Sequence, residues 1–170
     1  DTTPPKCKVE IDKSIFSPNG DGKSDTAKIV HDASEENEWL GTLLDSQNRK
    51  VKSYIWKNQP PVSFIWDGKS DSNKLLNDGM YLYYVSSTDE AGNSFISEKK
   101  ELAIFTQDLP VFITVSYDSI SPNNDGILDN QTFEIKAKLN ELNKISSWSI
   151  LIFDENDNKI FNYFKTGNII

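Results

Sequence analysis

An all-β architecture, two antiparallel sandwiches in tandem with the second incomplete, is what this 170-residue sequence predicts. Short alternating or aromatic runs are broken by Asn, Asp, Gly and Pro, the punctuation of strands and turns. No stretch carries the apolar spacing of a long amphipathic helix. A nine-residue segment recurs later in the chain and is followed by a matching strand, which marks an internal repeat.

The elements follow in order. Asp1-Thr-Thr-Pro4-Pro5 reads as a stiff linker, and residues 1–7 are expected to join an upstream domain. Strands are predicted at Lys8–Phe16, Thr26–His31, Glu38–Asp45, Lys50–Lys57, Val62–Trp66, Met80–Thr88 and Ser94–Phe105. Turn signals separate them: Asp45-Ser-Gln-Asn48, Asn58-Gln-Pro60-Pro61, Asp67-Gly68, Asp78-Gly79 and Asp89-Glu-Ala-Gly92-Asn93. About seven strands in about 100 residues is the count of an immunoglobulin-like or fibronectin-like sandwich. The first sandwich is assigned to residues 8–106.

The second unit, residues 107–170, begins after Gln107-Asp108-Leu109-Pro110. Ser17-Pro-Asn-Gly-Asp-Gly-Lys-Ser-Asp25 returns as Ser121-Pro-Asn-Asn-Asp-Gly-Ile-Leu-Asp129, with Ser17 to Ser121 and Asp25 to Asp129 both 104 apart. Downstream, Trp39, Asp45 and Lys50 match Trp148, Asp154 and Lys159, now 109 apart, so residues are inserted between the loop and the next strand. Strands are predicted at Val111–Tyr117, Thr132–Leu139, Trp148–Asp154 and Lys159–Phe164, the N-terminal half of a sandwich. Half a sandwich leaves an apolar face and strand edges uncovered. The expectation is that the biological protein continues beyond residue 170, or that another copy supplies the missing strands as a homo-oligomer.

Composition excludes several function classes. Lys and Arg number 18 against 26 Asp and Glu, a formal net charge of −8, which disfavours nucleic acid, whose phosphates are bound by clustered Lys and Arg. No apolar run approaches the roughly 18 residues of a membrane helix, so this segment is not expected to insert into a membrane. Nothing at its start reads as a signal peptide. Cys7 is the single cysteine, so no intrachain disulfide or cysteine metal cluster forms; it reads as a small half-buried residue near the first strand. His31 is the single histidine, which leaves little for a Ser-His-Asp triad or a His-His metal pair. Its place at the end of a strand reads as a surface position.

The repeated loop carries the richest chemistry. Oxygen-bearing side chains fall at its positions 1, 3, 5 and 9 (Ser17, Asn19, Asp21, Asp25), with Gly22 at position 6 and the Lys23 carbonyl at position 7. That is the spacing of an EF-hand-type calcium loop without its closing glutamate. The second copy offers Ser121, Asn123, Asp125, the Ile127 carbonyl and Asp129. The closing position holds Lys28 or Thr132 instead, so a complete Ca2+ site needs oxygens from elsewhere, such as the Asp67–Asp78 loop or water. The alternative is a metal-free turn in which Asn and Asp cap backbone amides. Both readings stay open at this point.

These motifs resemble bacterial extracytoplasmic Ig-like domains, as in flagellar hook-capping proteins and in the C-terminal domains of gliding-associated and surface proteins. The resemblance rests on Ser17-Pro-Asn-Gly-Asp-Gly-x-x-Asp25, then Trp66-Asp67-Gly68, Asp78-Gly79-Met80-Tyr81 and Asp89-x-x-Gly92-Asn93, in that order. It covers residues 8–105 and the first half of the second copy. It implies a periplasmic or cell-surface location and a non-enzymatic structural or interaction module of a larger secreted or envelope protein. Its expected partners are other protein domains or envelope proteins; the expectation of Ca2+ as cofactor rests on the loop spacing.

Three other functions have features of the sequence in their favour. Trp39, Trp56, Trp66 and Trp148, with Tyr81, Tyr83 and Tyr84, could form platforms for carbohydrate rings. Trp39 and Trp148 hold equivalent strand positions and read as core, whereas Trp56 lies opposite in parity to Val51 and Ile55 and reads as exposed. A two-carboxylate glycosidase is the weakest reading, because the acids concentrate in turns beside Gly and Asn. Assembly by β-strand addition at an open edge is the fourth.

Overall fold

The computed structural model describes residues 3–139 and 145–167. Those residues form strands and turns with no helix, and two compact units divide the chain after Gln107. The first unit contains β1 (Cys7–Ile11), β2 (Ile15–Phe16), β3 (Ala27–Ala33), β4 (Glu38–Asp45), β5 (Lys50–Lys57), β6 (Phe64–Trp66), β7 (Gly79–Thr88), β8 (Ser94–Ile96) and β9 (Lys100–Ile104). The second contains β10 (Val111–Val115), β11 (Phe133–Ala137), β12 (Ser147–Phe153) and β13 (Lys159–Thr166).

In the first unit a three-stranded antiparallel sheet, ordered β1-β3-β6, faces a larger sheet ordered β2-β9-β7-β4-β5, with β8 extending along β7. Alternation builds the core between them. On β7, Tyr81, Tyr83, Val85 and Ser87 point inward and are buried, while their neighbours are half-exposed. Val9, Ala27, Ile29 and Trp66 meet them from the smaller sheet. The two largest buried indoles are satisfied: Trp39 Nε1 donates to Ser34 O at 3.1 Å and Trp66 Nε1 to Lys69 O at 3.0 Å. The Tyr81 hydroxyl turns back to the Asn77 carbonyl at 2.7 Å, an arrangement like the tyrosine corner of immunoglobulin sandwiches.

Two expected strands are each divided. Lys8–Phe16 breaks because Asp12 ends the pairing with β3: its N–H donates to Lys28 O and its carboxylate accepts from Lys28 N–H. The chain then crosses to the other sheet, where β2 pairs in parallel with β9. Ser94–Phe105 breaks at Ser97, whose N–H and Oγ occupy both backbone groups of Val85. Pairing resumes one residue out of register, from Ser86 opposite Ile96 to Tyr83 opposite Lys100, the signature of a β-bulge. β4 and β5 have the expected bounds. The opening segment also differs from a linker through residue 7. Pro5 is fully buried, and Lys6 exchanges two hydrogen bonds with Ser34, so the chain enters the sandwich at Pro5; residues 1–2 lie outside the described residues.

Trp56 is a correction. It is 7% exposed, whereas Ile55 is 59% exposed, so β5 presents Tyr54 and Trp56 inward and Ile55 to water. The cause is a knot of rings between the sheets. Trp56, Tyr54, Phe64, Tyr83 and His31 contact one another at centroid separations of 3.9–6.2 Å. Room for it comes from Gly41: a Cβ there would lie 2.6 Å from the Tyr83 hydroxyl and 2.9 Å from the Trp56 ring. His31 is the second correction. It shares the inward parity of Ala27 and Ile29 and is half-buried instead of lying on the surface. Cys7 is half-buried in β1, as expected.

In the second unit β10 pairs with β11 and β12 with β13, both antiparallel. Val111 faces Ala137 as Cys7 faces Ala33 in the first unit, and Trp148 faces Lys165 as Trp39 faces Trp56. The register irregularity between Ile152 and Phe153 falls where β4 has its own, between Leu43 and Leu44. Large apolar side chains, including Phe112, Ile113 and Phe164, remain exposed. Trp148 is therefore half-buried against Tyr163, at 5.4 Å, and does not fill a core as expected.

Candidate functional site

The Ser17–Asp25 loop spans β2 and β3 and is anchored by two buried residues, Phe16 before it and Ala27 after it. Ser17 N–H donates to Ser24 O at 2.7 Å and closes the bend. Within it the side chains of Asn19, Asp21 and Asp25 turn onto backbone amides. Asn19 Oδ1 accepts from Asp21 N–H at 3.1 Å and Asp21 Oδ1 from Lys23 N–H at 2.7 Å. Asp25 divides its carboxylate, Oδ1 accepting from Gly20 N–H and Oδ2 from Gly22 N–H, each at 2.8 Å. This fork requires left-handed backbone at both glycines, whose φ values are 82° and 81°.

The second loop, between β10 and β11, repeats these bonds. Asn123 Oδ1 accepts from Asp125 N–H, Asp125 Oδ1 from Ile127 N–H, and Asp129 from Asn124 N–H and Gly126 N–H, both at 2.7 Å. Asn124 takes the place of Gly20 with φ 63°, the left-handed region that asparagine tolerates among non-glycine residues. The Ile127 amide, aided by Asn123, holds the Asp125 carboxyl below the usual carboxylate range. Among the ten residues predicted as ligands, six turn their side chains onto backbone amides (Asn19, Asp21, Asp25, Asn123, Asp125, Asp129), and side chains also meet between Asn19 and Asp21 and between Asn123 and Asp125. Ser17, Lys23, Ser121 and Ile127 enter these bonds through backbone N–H groups.

The other motif turns are built on the same physics. Asp89 accepts from the Asn93 backbone and side-chain amides, both at 2.8 Å. Asp78 Oδ1 accepts from Thr106 N–H and Oγ–H, which ties the start of β7 to the end of β9. Asp67 accepts from Lys69, and Gly68 lets the Trp66-Asp67-Gly68 turn approach the first loop: a Cβ at Gly68 would lie 2.9 Å from Pro18 Cγ. The loop is thus braced against a turn 50 residues away in sequence.

Sequence reasoning passed over the polar centre of the aromatic knot. His31 Nδ1 lies 3.2 Å from the Val62 carbonyl, which only accepts, so Nδ1 carries the proton. Nε2 then accepts from the Tyr83 hydroxyl at 2.8 Å. Burial depresses the His31 pKa, outweighing the Val62 hydrogen bond that raises it. The available signal was the shared parity of Ala27, Ile29 and His31.

The features expected of competing functions can be located too. Trp39, Trp56 and Trp66 are buried, and so are Tyr81 and Tyr83, so these rings offer sugars no platform. An open concavity near Glu36, Asn37, Asp89 and Glu90 carries acids, but Glu36 accepts from Ser34 Oγ at 2.7 Å and Glu90 from Asn37 Nδ2 at 2.8 Å. Among the described residues no three His, Cys, Asp or Glu side chains converge on a metal position, and no helix is long and apolar enough to cross a membrane.

No curated protein matches the chain. The crystal structure of dimeric latent PorU from Porphyromonas gingivalis is similar at 17% identity with a TM-score of 0.49, over 62% of this chain and 10% of that one. The chain thus corresponds to about a tenth of that structure's length. The family model of the type IX secretion signal domain CHU_C matches residues 9–100, a span that runs from within β1 to the first residue of β9 and includes all four motif turns of the first unit, and the chain belongs to that family.

Proposed function

We propose that this chain is the portion of a larger secreted protein that envelope proteins or neighbouring domains engage, a stiff folded module and not a reactive one. Membership in the CHU_C family makes it a non-catalytic immunoglobulin-like module of an extracytoplasmic protein. The observation that carries the proposal is the use made of the turn carboxylates. Asp25, Asp78 and Asp89 each hold backbone amides in place, which is work for a scaffold. Residues 107–170 begin a second module of the same design in this reading, supported by the matching registers and loop bonds. The test is export of a reporter fused to the whole chain in a bacterium with type IX secretion. The reporter should reach the medium, and Trp39→Ala, which empties the core, should retain it. Export that survives loss of the fold would refute the proposal.

A second reading is rigidification by Ca2+, favoured by the oxygens of Asn19, Asp21 and Asp25 gathered in one exposed bend and again at Asn123, Asp125 and Asp129. Calorimetric calcium titration of wild type and Asp21→Ala separates it from the hydrogen-bonded turn. A chelator-sensitive melting temperature that the substitution abolishes supports calcium. Indifference to both calcium and chelator leaves a bend held by amides alone.

A further inference from the structure

We propose that Asn19 is a latent deamidation site and that Asp25 is the residue that keeps it from reacting. Asn19-Gly20 is the single Asn-Gly pair in the chain, and Asp21-Gly22 follows directly. Glycine after Asn or Asp favours succinimide closure, because no Cβ hinders attack by the following backbone nitrogen. At Asn19 the Gly20 nitrogen gives its proton to base and attacks the side-chain carbonyl carbon. The new C–N bond forms, the bond to Nδ2 breaks and ammonia leaves with a proton from water. A second water then opens the ring to aspartate or isoaspartate. At Asp21 the same closure from the Gly22 nitrogen expels water. No oxidant or reductant is needed.

Residues 19–24 are exposed, and nothing lies within 4 Å of where a Cβ would stand on Gly20 or Gly22. Neither burial nor crowding therefore shields the two nitrogens. What holds them is Asp25, whose two oxygens accept from these two N–H groups and from no other amide in the loop, at 2.8 Å each. A hydrogen bond to a carboxylate is a strong one, and here it opposes the deprotonation that closure requires, because the anionic nitrogen would face an anion. The second loop has the same fork on Asp129. There the residue after Asn123 is Asn124, whose Cβ hinders attack, so Asn123 is slow with or without its guard.

The consequence of closure is irreversible. Isoaspartate adds a methylene to the backbone between Asn19 and Gly20, which displaces the Gly20 and Gly22 amides from Asp25 and opens the bend against Pro18.

The experiment uses the full chain in chelator-containing buffer at mildly alkaline pH. Peptide mapping by mass spectrometry in heavy-oxygen water follows Asn19 in wild type, Asp25→Ala and Asp129→Ala. Near-UV circular dichroism of the core tryptophans reports folding. The expected result is deamidation of Asn19 roughly tenfold or more faster in Asp25→Ala, with Asn123 slow in every variant. Equal Asn19 rates in a folded Asp25→Ala protein would overturn the proposal, as would Asn123 in Asp129→Ala reacting as fast as unguarded Asn19. If Asp25→Ala does not fold, wild-type amide hydrogen exchange decides, because it reads the same deprotonation. Gly20 and Gly22 should be protected although exposed, and exchange at the unstructured rate would overturn the assignment.

Discussion

Acidification from pH 7.5 to pH 5 should destabilise the first unit through one residue, His31. It is the only histidine. Its folded pKa lies below the usual 6.5 because burial disfavours the charged ring. Protonation would also give Nε2 a hydrogen that faces the Tyr83 hydroxyl, which must then turn its own hydrogen away from the imidazole. The tyrosines of the aromatic knot, Tyr54 and Tyr83, have their pKa values raised by burial, so neither hydroxyl supplies a compensating negative charge. With a depressed folded pKa, the stabilisation is fully present above 6.5 and is lost as pH falls through the folded value, because the unfolded chain takes up the proton first. One proton sets a ceiling of about 1.4 kcal/mol per pH unit on the slope. Tyr83→Phe, which leaves the half-buried His31 Nε2 without its donor, should cost about 1–3 kcal/mol. Urea unfolding followed by tryptophan fluorescence across this range measures both quantities. A flat profile in wild type, or an unchanged slope in His31→Phe, would refute the reasoning.

Three further outcomes are expected. Gly41→Ala should cost about 1–3 kcal/mol by overpacking against Tyr83 and Trp56, and Tyr83→Phe in the same chain should recover part of that loss in a urea double-mutant cycle. Trp56→Ala should cost about 3–5 kcal/mol, whereas Ile55→Ala, at an exposed position, should change the urea midpoint little. Burial, aided by Asp32, pushes the Cys7 thiol up to about 11, so iodoacetamide at pH 8 should label it far more slowly in native protein than in urea; equal rates would show that the thiol is not held in the sandwich.

The strands β4 and β5 were legible because Asp45 and Asn48 mark the turn between them and the bounding charges mark their ends. The bend at Ser17–Asp25 was legible because it obeys a local rule: Asx side chains reach amides two to five residues away, which spacing alone encodes. Trp56 was misread because β5 carries apolar residues on both faces, Val51 and Ile55 on one and Tyr54 and Trp56 on the other. Parity within the strand could not choose between them; the choice is made by Phe64, His31 and Tyr83, which come from three other segments. The role of His31 was hidden for the same reason, since Tyr83 lies 52 residues along the chain. The breaks at Asp12 and Ser97 depend on one side chain substituting for a ladder partner, which no window of hydropathy records. The resemblance to extracytoplasmic Ig-like domains agrees with the family matched over residues 9–100, but the distances were needed to show each aspartate acting as a backbone clamp.

The parallel pairing of β2 with β9 sets how the first unit bears a load. Ile15 lies beside Ala103 and Phe16 beside Ile104, with flanking hydrogen bonds from Ala103 N–H to Ser14 O and from Phe105 N–H to Phe16 O. The two strands run the same way, so tension that pulls the start of β2 against the end of β9 slides one along the other. The hydrogen bonds are then strained together and must rupture as a group, whereas an antiparallel terminal pair would peel apart one bond at a time. A short patch of contacts between β2 and β9 therefore resists tension along its strands by shear.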